Sequence, residues 1–152
     1  MRRGRRAAAA AVIPGMALAL SGCGSGAGTV KVSVAAYSSN PLCAKASAHW
    51  PVTVSSQTAR KVSVSSPTVR AWGNPAIIAR CGVGTPAPTA AGCLQTNGID
   101  WVSSPLDDGT RFVTFGRSPA IEVLIPTKYA AWGLAAFAAA AGQIPQNAGH
   151  CS

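Results

Sequence analysis

Ile99 to Ile125 read IDWVSSPLDDGTRFVTFGRSPAIEVLI. Three apolar runs stand out in this stretch: Ile99 to Ser103, Arg111 to Phe115 and Ala120 to Ile125. Asp107-Asp108-Gly109 and Gly116-Arg117-Ser118-Pro119 punctuate them. Short runs of Val, Ile, Phe and Trp bounded by Gly, Pro and Asp read as strands. Their close spacing leaves no room for the helical crossover a parallel pair needs, so the expectation is an antiparallel meander.

Working outward, Ala76 to Cys81 reads as a fourth strand. Val30, Val32 and Val34 alternate with Lys31 and Ser33, the period of a half-buried strand. Gln57 to Pro67 reads as an edge strand or a loop. Asn40-Pro41 reads as an N-cap followed by a first-turn proline, opening a helix to about Ala48 that His49-Trp50-Pro51 closes. Lys128 to Ala141 reads as an alanine-rich helix, with Pro145 and Gly149 in the tail beyond it. In that helix Leu134 with Phe137, and Tyr129 with Trp132, stand three apart; the two stripes predict burial on more than one side. These elements predict an α+β fold, an antiparallel sheet of about four to five strands with two helices packed on one face. An immunoglobulin-like sandwich or jelly roll would leave the last helix without a place.

The N-terminus reads as an address. Arg2, Arg3, Arg5 and Arg6 precede the apolar run Ala7 to Leu20, and Leu20-Ser21-Gly22-Cys23 follows. The run is short of the roughly 20 apolar residues of a membrane span, which points to a signal peptide over 1-22. Leu-Ser-Gly-Cys resembles the lipobox of bacterial lipoproteins, which places an acyl anchor on Cys23 and the mature chain on the outer face of the cell membrane. A flexible Gly/Ser tether over 23-29 then leads into one domain over 30-152. With the leader set aside, nine basic residues face four acids, a net of about +5 thinly spread. That balance offers no basic stripe with interleaved aromatics, and nucleic acid is not an expected partner.

Four cysteines remain besides Cys23: Cys43, Cys81, Cys93 and Cys151. An even number in a small exported domain reads as two disulfides, with three pairings open. Loop length favours Cys81–Cys93, leaving Cys43–Cys151 to staple the ends. Zinc is disfavoured, because there is no Cys-x-x-Cys pair and only His49 and His150 to help. No cofactor motif stands out either: Gly82-Val83-Gly84 lacks the lysine of a phosphate loop.

Trp72-Gly73-Asn74-Pro75-Ala76-Ile77-Ile78-Ala79-Arg80-Cys81-Gly82-Val83 and Phe115-Gly116-Arg117-Ser118-Pro119-Ala120-Ile121-Glu122-Val123-Leu124-Ile125-Pro126, with Cys43, His49-Trp50-Pro51 and Gly98-Ile99-Asp100-Trp101-Val102, resemble a known group. The chain is similar over roughly Val30 to Cys151 to the actinobacterial domain-of-unknown-function family 3515. That resemblance implies a secreted or lipid-anchored envelope protein. It carries over no activity, cofactor or catalytic residue.

Chemistry has few candidate residues. A nucleophile needs an oriented base, and the two histidines lie far apart in sequence; a Cys43–Cys151 bridge would bring them close. No Gly-x-Ser-x-Gly elbow and no Ser-x-x-Lys pair occurs. Asp107 and Asp108 belong to a turn, while Glu122 lies inside an apolar strand, where Arg80 is its natural partner. The expected function is therefore a non-catalytic binding or support module of the envelope with a protein partner. A small envelope hydrolase using His49 is the alternative. Trp72, Asn74, Arg117 and Tyr129 are the expected partner surface, since aromatics and Arg dominate interface energetics.

Overall fold

A computed structural model describes residues 28–87, 92–129 and 131–151. The expected signal peptide, Cys23 and most of the tether lie outside the described residues. Among the described residues a first helix α1 (Pro41–Ser47) is followed by eight strands: β1 (Thr53–Val54), β2 (Gln57–Arg60), β3 (Val69–Trp72), β4 (Ile77–Val83), β5 (Cys93–Thr96), β6 (Ile99–Leu106), β7 (Gly109–Thr114) and β8 (Ala120–Pro126). A 3-10 helix (Ala131–Phe137) and a one-turn α2 (Ala138–Ala141) follow. All strands join one antiparallel sheet in the order β1-β2-β3-β4-β8-β7-β6-β5.

This corrects the expected α+β fold of four to five strands: the sheet has eight strands, and the molecule is mostly β. The unread strands β1, β3 and β5 are two to four residues long, too short to show a period of their own, and β2 takes only the first four residues of the Gln57 to Pro67 segment expected as an edge strand or a loop. The final helix is also smaller than expected. Ala131–Phe137 winds as a 3-10 helix through Gly133, and only Ala138–Ala141, which has no side-chain cap, closes as α-helix. Val30 to Val34 forms no strand; Val30 makes a single parallel bridge to Val62.

The helices do pack on one face of the sheet. Ile77, Ala79 and Cys81 of β4 alternate onto that face, as do Ile121, Val123 and Ile125 of β8, and they share a core with Cys43, Ala46, Leu134, Phe137 and Ile144. At its centre the Phe137 ring meets Trp50 and Trp72 edge-on, with centroids 6.2 and 5.4 Å away. Both indoles also satisfy their N–H groups, Trp50 donating to the Pro67 carbonyl and Trp72 to that of Pro51. The helix start is as read: Asn40 Oδ1 accepts from Leu42 N at 2.9 Å, and Pro41 occupies the first turn. Among the described residues no helix is long and apolar enough to cross a membrane.

The cysteine pairing differs from the expected one. Cys43 is bonded to Cys81 and Cys93 to Cys151. Strand order explains why. Cys81 lies on central β4 and Cys93 on edge strand β5, with β8, β7 and β6 between them. At about 4.8 Å per strand the two are roughly 19 Å apart, far outside the 7 Å reach of a disulfide. Cys81 instead faces Cys43 on the helix packed above it, with Cα atoms 5.4 Å apart.

Both sulfurs of Cys43–Cys81 are fully buried, whereas Cys93 and Cys151 are half-buried. Graded reduction followed by alkylation and mass mapping should label Cys93 and Cys151 first, and loss of that bridge should cost about 2–4 kcal/mol. Labelling of Cys43 and Cys81 first would contradict the packing described.

Candidate functional site

Two polar clusters sit on the sheet away from the helices. In the first, Glu122 is 2% exposed on β8, directly across from Arg80 on β4, and its carboxylate oxygens accept from Arg80 Nε and Arg111 Nε. The expected Arg80 pairing is thus present, with Arg111 of β7 as a second partner. Nothing in this arrangement calls for chemistry beyond neutralising a buried carboxylate.

The second cluster holds the C-terminal tail. Asp100 on β6 is fully buried and accepts hydrogen bonds from Gln95 Nε2 at 2.9 Å, Gln146 Nε2 at 2.8 Å and Cys151 N at 3.0 Å; His150 Nδ1 lies 3.4 Å away. Desolvation raises the Asp100 pKa, but the donors around it outweigh that and hold the carboxyl below its ordinary value. Arg117 completes the cluster, donating to the Ile144 carbonyl and to Gln146 Oε1. Burial lowers the pKa of its guanidinium, and the Asp100 charge partly restores it.

The candidate residues read from sequence part company here. Trp72 is fully buried in the core and Arg117 is 7% exposed beneath the tail, so neither presents a partner surface. Their burial follows from roles that sequence does not show, Trp72 in the aromatic trio and Arg117 in fastening the tail. His49 is exposed and donates from Nδ1 to the Lys45 carbonyl at 3.0 Å, a C-terminal cap of α1. With Cys43 bonded elsewhere, the bridge expected to draw His49 toward His150 is not there. Among the described residues no three His, Cys, Asp or Glu side chains gather as a metal site.

Asn74 and Tyr129 lead to a different place. Lys128 Nζ donates to the Asn74 carbonyl at 2.8 Å and lies 5.6 Å from the Tyr129 ring centroid. Lys128 and Tyr129 help line a cleft of about 570 Å³, together with Ser55, Ser56, Trp132, Gly133 and Ala136. Its walls are the β1–β2 turn and the 3-10 helix, and its volume falls in the range of small-ligand sites. Trp132 stands at the cleft 81% exposed. The expected second buried stripe of the last helix is therefore half solvent-facing.

Two features of this cleft run against local stability. Ser55 and Ser56 have φ of 47° and 61°, the left-handed pair of a two-residue hairpin turn that ordinarily takes Asn-Gly. Each serine costs about 1 kcal/mol there. The Tyr129 hydroxyl is buried without a hydrogen-bond partner among the described residues, a further cost of about 1–3 kcal/mol. Two glycines make room for these groups: a Cβ on Gly133 would come 2.5 Å from Ser55 Oγ, and one on Gly73 would come 2.6 Å from Tyr129 Oη. Such costs cluster where a protein binds something. Ser55, Ser56, Lys128 and Trp132 were not read as site residues; a Trp in an alanine run beside Tyr129 and Lys128 is the one visible signal.

Comparison with known proteins gives a family and no relative of known activity. The family model described as Protein of unknown function (DUF3515) matches residues 7–148. No curated protein and no solved structure matches the chain.

Two outcomes are expected. Because the folded-state pKa of Asp100 is lowered, its stabilisation is present above the ordinary carboxylate range near pH 4 and is lost as pH falls through the lowered value. Thermal unfolding should show Asp100→Asn less stable than wild type at neutral pH, with the gap closing in acid; a gap independent of pH would refute this. Replacing Ser55-Ser56 by Asn-Gly should raise stability by about 1 kcal/mol, read as a higher Tm, since the turn geometry already suits that pair.

Proposed function

The chain belongs to the DUF3515 family, and on that premise we propose that it is an exported, lipid-anchored envelope protein acting as a non-catalytic binding module. Its ligand site in this reading is the cleft of Ser55, Ser56, Lys128, Tyr129 and Trp132. The observation that carries the proposal is the meeting of a left-handed Ser-Ser turn, an unpartnered Tyr129 hydroxyl and an indole that solvent reaches freely around one recess. A fold that needed only to be stable would have Asn-Gly in the turn and Phe at position 129. Lipid anchoring rests on the ordered leader and Leu20-Ser21-Gly22-Cys23, and it sets a small domain on a short tether beside the membrane surface.

Catalysis is disfavoured on geometry. Among the described residues the cleft lining holds no acid, histidine or thiol, and neither serine hydroxyl is hydrogen-bonded to Lys128, whose ammonium donates instead to the Asn74 carbonyl, so no nucleophile–base pair is assembled. The hydrolase alternative would run through His49, whose Nδ1 is engaged by a backbone carbonyl and which no carboxylate orients among the described residues.

Three measurements test the proposal. Mass spectrometry of the membrane fraction should find an acylated N-terminal Cys23, and Cys23→Ala should release the protein; unchanged membrane partition of that variant overturns the anchor. Cross-linking in native membranes should yield a specific adduct that Trp132→Ala loses while its Tm stays unchanged. Turnover of a cell-wall substrate that His49→Ala abolishes would transfer the assignment to the hydrolase.

A further inference from the structure

We infer that the ligand of this cleft is an acidic saccharide, a pyranose ring or two bearing a carboxylate. The inference rests on the binding reading above and adds the chemistry of the occupant. Three kinds of group line the cleft, and each matches one part of such a ligand. Trp132 offers a flat indole face to solvent, 81% exposed, on the wall of a concavity. A pyranose has an apolar face of C–H groups whose slight positive charge suits the negative π face of an indole. Ser55 and Ser56 line the cleft from the β1–β2 turn, and a serine hydroxyl both donates and accepts, as the rim of a sugar does.

Charge selects the third part. Among the described residues Lys128 is the one charged residue in the cleft lining, and no acid accompanies it. One of its three donors goes to the Asn74 carbonyl, which fixes the ammonium in place and leaves two for a ligand. A carboxylate on the ring would meet it as a charge-assisted pair. The Ser-Ser turn fits the same account. Asn-Gly would give the turn a relaxed backbone but replace one hydroxyl by a larger amide and delete the other. An acidic peptide would also meet Lys128, yet it has less use than a sugar ring for an exposed indole and two serines in one small recess. An anionic bilayer would favour an indole on a convex surface, and Trp132 borders a recess.

The test uses the one exposed tryptophan as its reporter. Trp50, Trp72 and Trp101 are 7%, 0% and 0% exposed, so acrylamide quenching of the full-length protein reads Trp132. It would be titrated with short oligogalacturonate, with the same oligomer methyl-esterified, with an acidic peptide and with anionic phospholipid vesicles. Oligogalacturonate should blue-shift the emission and protect against quenching saturably, and the neutral ester should bind about tenfold more weakly for want of the charged pair. Lys128→Met should erase the preference for the acid. Trp132→Ala should abolish binding in calorimetry with its Tm unchanged, and the Asn-Gly turn variant should bind more weakly while melting higher.

No saturable response to oligogalacturonate, or an equal response to its ester, overturns the saccharide assignment. In that event a response to peptide or vesicles that Trp132→Ala removes leaves the binding reading standing with another ligand. If no probe responds and the membrane cross-links survive in Trp132→Ala, the cleft reading falls as well.

Discussion

The pairing of β4 with β8 is the constraint on which the rest of this structure depends. Without it the chain is two separate four-stranded meanders, β1 to β4 and β5 to β8, each with an open edge. The contact is made by the final strand of each meander, and both strands carry apolar residues toward the helices. Its other face is locked by Arg80 opposite Glu122, with Arg111 reaching in from β7, so one carboxylate spans three strands. A register slip of one residue would send Glu122 into the aromatic core and Ile121 out of it. The ion cluster therefore penalises a shifted register, the best-attested use of buried charge.

The same pairing accounts for a pattern visible in the sequence as two similar turns. Trp72-Gly73-Asn74-Pro75-Ala76-Ile77 feeds β4, and Phe115-Gly116-Arg117-Ser118-Pro119-Ala120-Ile121 feeds β8. Gly73 and Gly116 have φ of 70° and 71°, and the peptide before each proline is cis. The two halves thus enter their central strands through equivalent turns from opposite ends of an antiparallel pair. They then diverge. The first turn backs onto the cleft, where Asn74 receives Lys128, whereas the second is covered by the tail that Arg117 and Asp100 hold.

The meander from Ile99 to Ile125 was legible because its strands are long enough to show apolar runs and their turns carry Asp, Gly and Pro. Helix α1 was legible from Asn40-Pro41 for the same local reason. What escaped was short or non-local. Strand β5 has four residues, although Asn97-Gly98 with φ of 48° and 75° is the strongest hairpin signal in the chain. The β1–β2 hairpin turns on Ser-Ser, which announces nothing. The disulfides follow from strand order, which no loop length encodes. Burial of Trp72 and Arg117 is likewise a tertiary outcome, and an aromatic or Arg read alone points equally to core and surface.

The position of the cleft follows from where the fold is firm and where it is thin. The core is firm, with Phe137 between two tryptophans and Cys43–Cys81 tying the helix layer to the central strand, and the cleft lies outside it. Its walls are thin, a two-residue edge strand on one side and a 3-10 helix on the other. Edge hairpins and single helical turns are where local opening is least costly, so left-handed serines and a buried hydroxyl cost least there in cooperative stability. The same costs placed on β4 or β8 would loosen the register on which everything else rests. A rigid sheet carrying a marginal rim is how binding residues are commonly held, positioned by the scaffold and free of its packing demands.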